Sequence, residues 1–198
     1  MFVHISKGNM KVGTIPNFSL TPGRSCSAVA CKTCLVQGCY ACKSYRQYKN
    51  VRTAWDENTN MAVAALDEME KQLTEYFDGM NAPRFFRVHV GGDFITKEYA
   101  EMWARIAAAH PHTNFLAFTK QWDNVRDVAF PENFSLVLSG WKGTEIPADL
   151  MAKYRTATCV DSKEEIPCGG FECPGHCENC GACWQLAKRG IDVYFIKH

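Results

Sequence analysis

The residues best equipped for chemistry in this chain are its 11 cysteines among 198 residues, and they are not spread evenly. Five lie between Cys26 and Cys42, five between Cys168 and Cys183, and only Cys159 stands apart. A chain of this length can bury enough core to fold without disulfides, and a disulfide framework would distribute its thiols along the chain. Thiols gathered at spacings of two to four residues point instead to a soft metal. The first group offers Cys31, Cys34 and Cys39 with two and then four residues between them, and Cys34, Cys39 and Cys42 with four and then two; Cys26 lies just upstream. Three thiolates from one loop can hold three irons of a 4Fe–4S cube and leave the fourth iron open. Zinc is the alternative: Cys31/Cys34 and Cys39/Cys42 make two Cys-x2-Cys pairs, although only four residues separate them.

The second group, Cys173, Cys177, Cys180 and Cys183, runs Cys-x3-Cys-x2-Cys-x2-Cys, with Gly175, Gly181 and Ala182 small enough to let the chain wrap a compact centre. Four thiolates close the coordination shell, so the role is structural or electron-transferring, for a second 4Fe–4S cluster or for zinc. Cys168 and His176 read as spectators, and Cys159 as a core thiol inside a strand.

The elements that must position these groups alternate. Strands are predicted at 15–20, 84–90, 113–119, 134–139, 156–160 and 191–196, mostly as continuous apolar runs such as Thr113 to Thr119 (TNFLAFT). Helices are predicted at 58–77, 96–109 with Thr96 as N-cap, 122–128, 147–154 and about 180–189 with Gly190 as the stop. Six strands alternating with helices imply an α/β fold on a parallel sheet, either doubly wound or part of a TIM-like barrel. In both, functional loops follow the carboxyl ends of the strands. That rule puts the first cysteine group, Gly91-Gly92-Asp93, Thr119-Lys120 and Ser139-Gly140 on one rim. Lys120 and Ser139 are then ribose or substrate contacts. His89 is a candidate base there, with a hydrogen-bonded core histidine as the stronger alternative. The basic and aromatic stretch Tyr45, Arg46, Tyr48, Lys49 and Arg52 reads as a solvated helix face.

Charge and hydropathy exclude several classes. Lys+Arg is 22 against 21 Asp+Glu, for a net charge of +1, which argues against a strongly basic nucleic-acid wrapper. No run of 18 apolar residues suggests a membrane span, and the charged N-terminus lacks the apolar stretch of a signal peptide, so the expected location is the cytoplasm. The expected division is a core over 1–160 and a cysteine-rich segment with the last strand over 161–198.

Two resemblances sharpen this. Cys39-Tyr40-Ala41 after a first strand resembles the cluster loop of radical S-adenosylmethionine (SAM) enzymes, although the spacing departs from that family's usual three and then two residues. Val88-His89-Val90-Gly91-Gly92-Asp93 resembles the Gly-Gly-acid turn that follows their second strand. The likeness implies a (β/α)6 partial TIM-like barrel and a 4Fe–4S cluster on three of the five N-terminal cysteines. It implies SAM held at Gly91, Gly92 and Asp93, with Tyr40 and Ser139 as further contacts, and an electron donor such as a reduced flavodoxin or ferredoxin. More closely, residues 15 to 185 are similar to the phage gene product 88 family, through the Cys-Tyr-Ala loop, Tyr45-Arg46-Gln47-Tyr48, Arg87 to Phe94, Trp103, His110-Pro111 and Phe118-Thr119-Lys120. That likeness implies a phage protein of the host cytoplasm. A minimal radical SAM enzyme with an unknown, macromolecular substrate is one reading; a non-enzymatic iron–sulfur or zinc regulator is the other.

Overall fold

The structure, a computed structural model, describes residues 1–34 and 38–197, with residues 187 and 188 described by their backbone alone; the middle of the first cysteine group, 35–37, lies outside the described residues. The chain runs β1 (Ile5–Ser6), β2 (Asn17–Phe18), α1 (Ala28–Lys32), α2 (Tyr40–Gln47), α3 (Lys49–Ala64), α4 (Leu66–Asp78), β3 (Phe85–Val88), α5 (Lys97–Ala109) and β4 (Asn114–Thr119). It continues through α6 (Trp122–Val125), β5 (Phe134–Trp141), α7 (Ala148–Lys153), β6 (Arg155–Val160), β7 (Phe171–Glu172), α8 (Cys177–Cys180), α9 (Leu186–Arg189) and β8 (Val193–Ile196).

One mixed sheet has the order β1-β2-β3-β4-β5-β6-β8-β7. Its six inner strands, β2 to β6 and then β8, are parallel neighbours in chain order; β1 adds an antiparallel edge and β7 a parallel one. A doubly wound sheet reverses its strand order at a switch point, and this sheet does not. The fold is α/β on a mostly parallel sheet, as the alternation of elements implies.

Both faces are buried, which is why the strands read as unbroken apolar runs. On one face Phe86, Phe115 and Phe134 stand in register across β3, β4 and β5. They pack with Met69, Leu73 and Phe77 of α4 and with Tyr99, Trp103 and Ile106 of α5. Phe115 and Phe134 stack 5.9 Å apart at 5°, and Trp103 and Phe77 close on Phe115 from the helix side. On the opposite face Leu116, Val137, Ala157 and Val193 are covered by Val12 and Ile15 from the N-terminal arm and by Trp184 and Leu186 from the C-terminal cysteine segment. The Ser135 hydroxyl donates to the Trp184 carbonyl at 2.9 Å, pinning that segment to β5.

Several boundaries differ from expectation. The helix expected at 58–77 is two helices, α3 beginning nine residues earlier at Lys49 and α4 ending at Asp78, with Ala65 between them at φ −150° and ψ 52°. The early start is hidden because 49–57 is mostly polar and no residue in it is buried. The first cysteine group is not simply a loop, since Cys31 sits in α1 and Cys42 in α2. The last expected helix is broken into α8, a 3₁₀ turn at Ala182–Gln185, and α9, because Gly181 takes the left-handed conformation at φ 60°. Edge strands β1 and β7, two residues each, carry too little pattern to be read.

Removing the ring at the centre of the aromatic row tests this packing. Phe115→Ala should lower unfolding free energy by about 3–5 kcal/mol in a urea titration; a loss below 1 kcal/mol would mean that the row is not the core.

Candidate functional site

The rim at the carboxyl ends of the strands is built from the β2 side first. After Phe18 the chain turns at Thr21-Pro22-Gly23, held by the Ser25 hydroxyl donating to the Thr21 carbonyl at 2.9 Å. Ser27 caps α1 by accepting from the Ala30 N–H at 3.1 Å, which carries Cys31 onto a helical turn. Cys39 is the N-cap of α2, so Tyr40 and Cys42 lie on that helix's first turn. The Tyr40 hydroxyl donates to the Val90 carbonyl at 2.5 Å, fastening α2 to the end of β3.

The Gly-Gly-Asp turn docks on this segment. Gly91 N–H donates to Ser19 Oγ at 3.1 Å, and its carbonyl accepts from Leu20 N–H at 2.9 Å. A Cβ on Gly91 would lie 2.7 Å from the Trp55 ring and 3.3 Å from Ala41 Cβ, so the glycine lets α2 and α3 close on the strand end. Gly92 adopts φ 81°, and a Cβ there would meet Ser25 Oγ at 2.5 Å. Asp93 is buried, and its carboxylate accepts from Thr119 Oγ1 at 2.7 Å, Lys120 N–H at 2.7 Å and Phe94 N–H at 2.8 Å. Burial pushes its pKa up, and those three donors pull it back. The acid therefore ties β3 to β4, with both oxygens engaged by the protein itself.

The thiols are distributed around this rim. Cys26 Sγ accepts from Gly23 N–H at 3.3 Å, and burial pushes that thiol up to about 12, with Asp93, Cys39 and Cys31 adding to the rise from nearby. Cys42 is also raised, by burial and by Cys39 beside it. Cys34 reaches across to β5, where the Trp141 indole N–H donates to its sulfur at 3.1 Å. Cys159 does not lie in the apolar core: it is half-buried on β6, in register with Trp141 and within electrostatic reach of Cys34. Ser139 accepts from Lys120 Nζ at 2.9 Å, which joins these two rim residues directly.

The second group lines one small cleft with Cys173, Cys177, Cys180 and Cys183, together with Phe171, His176 and Trp184. Cys177 N–H donates to the Lys11 carbonyl, and Glu178 accepts from the Thr14 N–H and hydroxyl, so the N-terminal arm clamps this segment. Burial pushes the Cys183 thiol up to about 12 and raises Cys177 as well. Cys168 is exposed. Among the described residues, no three of His, Cys, Asp and Glu are placed to hold a single metal ion. The donor set is chemically that of a soft metal, whose binding would deprotonate these thiols.

His89 is a core histidine: its Nε2 lies 2.9 Å from the Tyr99 hydroxyl, Phe94 packs on it edge to face, and its backbone takes φ 60°. Burial and the neighbouring Arg87 charge lower its pKa to about 3. Of the basic and aromatic stretch, the Tyr45 hydroxyl donates to the Asp56 carboxylate at 2.8 Å, and Lys49 and Arg52 are exposed. Sequence reasoning did not single out Arg87 or Trp141. The signal for Arg87 was the strand period: flanked by Phe86 and Val88, a lone charge at 87 must face the opposite side of the sheet.

These features define an α/β protein with a mostly parallel sheet, one cysteine-rich group beside the carboxyl end of β3 and a second packed against the inner face of the sheet. The chain belongs to the Gene product 88 family, whose model matches residues 4–186. It is 30% identical over 128 residues to the Gene 88 protein of Mycobacterium phage L5, covering 60% of this chain and 54% of that protein. The Gene 88 protein of Mycobacterium phage D29 is likewise 30% identical over 128 residues, at 60% and 53% coverage. The chain thus spans about half the length of the curated relatives it matches. No solved structure matches it. Among the described residues no helix is long and apolar enough to cross a membrane.

Two outcomes follow from this geometry. Gly91→Ala forces a methyl group into Trp55 and should cost about 1–3 kcal/mol of stability, read as a lower Tm; an unchanged Tm would show that α3 does not close on the turn. His89 stays neutral in the folded chain, whereas the unfolded chain takes up a proton below the ordinary value of 6.5. Its contribution to stability is therefore complete above that pH and is lost as pH falls toward about 3. At pH 5 the loss is about 2 kcal/mol by linkage. Asn tolerates the left-handed backbone, so His89→Asn should flatten the decline in urea stability between pH 7 and pH 5, and an equally steep decline would exclude His89 as its source.

Proposed function

We propose that this chain is an iron–sulfur protein of radical-SAM type, with its sheet curved as a (β/α)6 partial barrel. In this reading a 4Fe–4S cluster is held by three of Cys26, Cys31, Cys34, Cys39 and Cys42, and a second metal centre, iron–sulfur or zinc, by Cys173, Cys177, Cys180 and Cys183. The observation that carries the reading is a juxtaposition. The Gly91-Gly92-Asp93 turn at the end of β3 is hydrogen-bonded to Ser19, Leu20 and Ser25, on the segment that leads from β2 into the first cysteine group. A sequential run of parallel strands supports a barrel-like rather than a doubly wound sheet. When bound, the cluster would supply an electron to the sulfonium of SAM.

The protein's own part is to position and to exclude water. Tyr40 fixes α2, and with it Cys39 and Cys42, against β3. Lys120 and Ser139 present an ammonium and a hydroxyl on the same rim as candidate contacts for a ligand. The Asp93 carboxylate already accepts three protein hydrogen bonds, so it would shape the turn rather than meet the ligand's ammonium. That same observation favours a second reading, a non-enzymatic iron–sulfur or zinc protein in which the turn is purely architectural.

Anaerobic reconstitution with iron and sulfide, followed by reduction in the presence of SAM, separates the two. The radical-SAM reading expects brown iron–sulfur absorbance, a change in the reduced cluster's electron paramagnetic resonance signal on adding SAM, and release of 5′-deoxyadenosine that Cys39→Ala abolishes. A colourless protein holding only zinc, or a cluster indifferent to SAM, would overturn it.

A further inference from the structure

The net charge of +1 joins two unlike parts of the chain. Residues 1–55 carry eight Lys and Arg and no Asp or Glu; the first acid is Asp56, and the rest of the chain holds 14 Lys and Arg against 21 Asp and Glu. All eight N-terminal cations are exposed, and among the described residues none of them forms an ion pair with a carboxylate. The lysines and arginines that do so lie elsewhere, at Lys97, Arg105, Arg126, Lys142 and Lys163. Four of the eight fall together: Lys43 and Arg46 three residues apart on α2, Lys49 and Arg52 three residues apart on α3. Only Tyr48 separates the two helices, extended at φ −114° and ψ 115° with its ring exposed. An open cleft of about 710 Å³ lies at this junction, lined by Gln47, Tyr48, Lys49, Asn50 and Thr53, with His4 from the N-terminal arm. The first two acids of α3 are engaged elsewhere: Asp56 accepts from Thr21 Oγ1 at 2.6 Å and from the Tyr45 hydroxyl at 2.8 Å, and Glu57 Oε2 lies 2.6 Å from His4 Nε2.

Solvation alone accounts for each of these cations singly. It does not account for an exposed ring set among them, or for 55 residues without one acid, since surface helices ordinarily intersperse both signs. Like charges gathered on one surface repel each other and attract an anion. Four of them on two consecutive helices suit a chain of phosphates. A ring exposed among them suits a base, because every base has a face that stacks on an aromatic side chain, and the Gln47 and Asn50 amides offer donors and acceptors beside it. An acidic peptide would use the cations and leave the ring idle. An anionic bilayer would need aliphatic side chains next to the cations, and none of the exposed residues from 43 to 53 is aliphatic. We propose that the α2–α3 junction binds single-stranded nucleic acid, with Lys43, Arg46, Lys49 and Arg52 meeting the phosphodiester backbone and Tyr48 stacking on a base. Such binding needs no metal at either cysteine group, so it is independent of the radical-SAM reading.

The full chain, kept reduced, is titrated into fluorescein-labelled oligothymidine or oligouridine of about 20 nucleotides, longer than an ordinary single-strand footprint, and anisotropy is read over a range of salt. Each phosphate contact to a single strand steepens log K against log salt by about 0.7. Lys49→Gln/Arg52→Gln should therefore weaken binding and flatten that slope by about 1.4. Lys71→Gln/Lys97→Gln, which removes the same charge from exposed positions on α4 and α5, should leave both at the parent's values. Tyr48→Ala should weaken binding about tenfold at an unchanged slope, and Tyr48→Phe, which keeps the ring, should match the parent. Failure to bind either strand at about 50 mM salt, tighter binding of a DNA duplex of equal length, or a slope that Lys49→Gln/Arg52→Gln leaves unmoved overturns the assignment. Displacement of the strand by polyglutamate, together with parent-like binding by Tyr48→Ala, gives the face to an acidic protein instead. The substituted side chains are exposed, so each variant should keep the parent's Tm; if Tyr48→Ala lowers it, the slope of the charge variant decides.

Discussion

The rim of this protein depends on one buried carboxylate. Asp93 accepts from Thr119 Oγ1, from Lys120 N–H and from its neighbour Phe94, while its own N–H donates to Ser25 Oγ. Four positions distant in sequence are thereby joined: the entry to the first cysteine group, the end of β3, the end of β4, and, through the Lys120 ammonium, Ser139 on β5. A desolvated acid is stabilised only when its lone pairs are met, and here both oxygens are met by fixed donors. The two glycines before it let neighbouring segments approach closely enough for this to happen, Trp55 and Ala41 over Gly91, Leu20 and Ser25 over Gly92. The turn therefore has a complete architectural explanation, whatever else binds beside it.

That explanation clarifies what was legible in the sequence. Parallel strands buried on both faces announce themselves as apolar runs, so β4, β5 and β6 were readable within two residues, and so was α5 with its Thr96 cap. The rim followed from the rule that loops sit beyond strand ends, and it placed Gly91, Lys120 and Ser139 correctly relative to one another. The helical parts were harder. Residues 49–57 form the first half of α3 on the protein surface, where an apolar stripe is weakest, and Cys31 and Cys42 ride on helices of five and eight residues within a segment that composition alone marks as a loop. The hydrogen bonds of Asp93 were illegible for a different reason. An acid after two glycines looks the same in sequence whether it faces a ligand or caps the neighbouring strand, and only the placement of Thr119 and Lys120 distinguishes them.

The two cysteine groups are not independent appendages. The C-terminal segment supplies Trp184 and Leu186 to the inner-face core, β7 and β8 to the sheet, and a hydrogen bond from Cys177 to the N-terminal arm. Tyr40, on the helix that begins at Cys39, is in electrostatic contact with Cys34 and Cys39 from one group and with Cys177 from the other, and Arg87 lies beside it.

Partial burial shifts thiols of both groups toward their neutral form. Burial is the largest cause of the rise at Cys26, Cys42, Cys177 and Cys183 alike, and nearby thiols add to it at each. Inert core cysteines behave in this way singly; thiols gathered five between Cys26 and Cys42 and five between Cys168 and Cys183 do not gain a fold by it, since small apolar residues would pack there without a reactive sulfur. A soft cation reverses the balance for the whole group at once, because each ligated sulfur gives up its proton and the repulsion among thiolates is repaid at the metal.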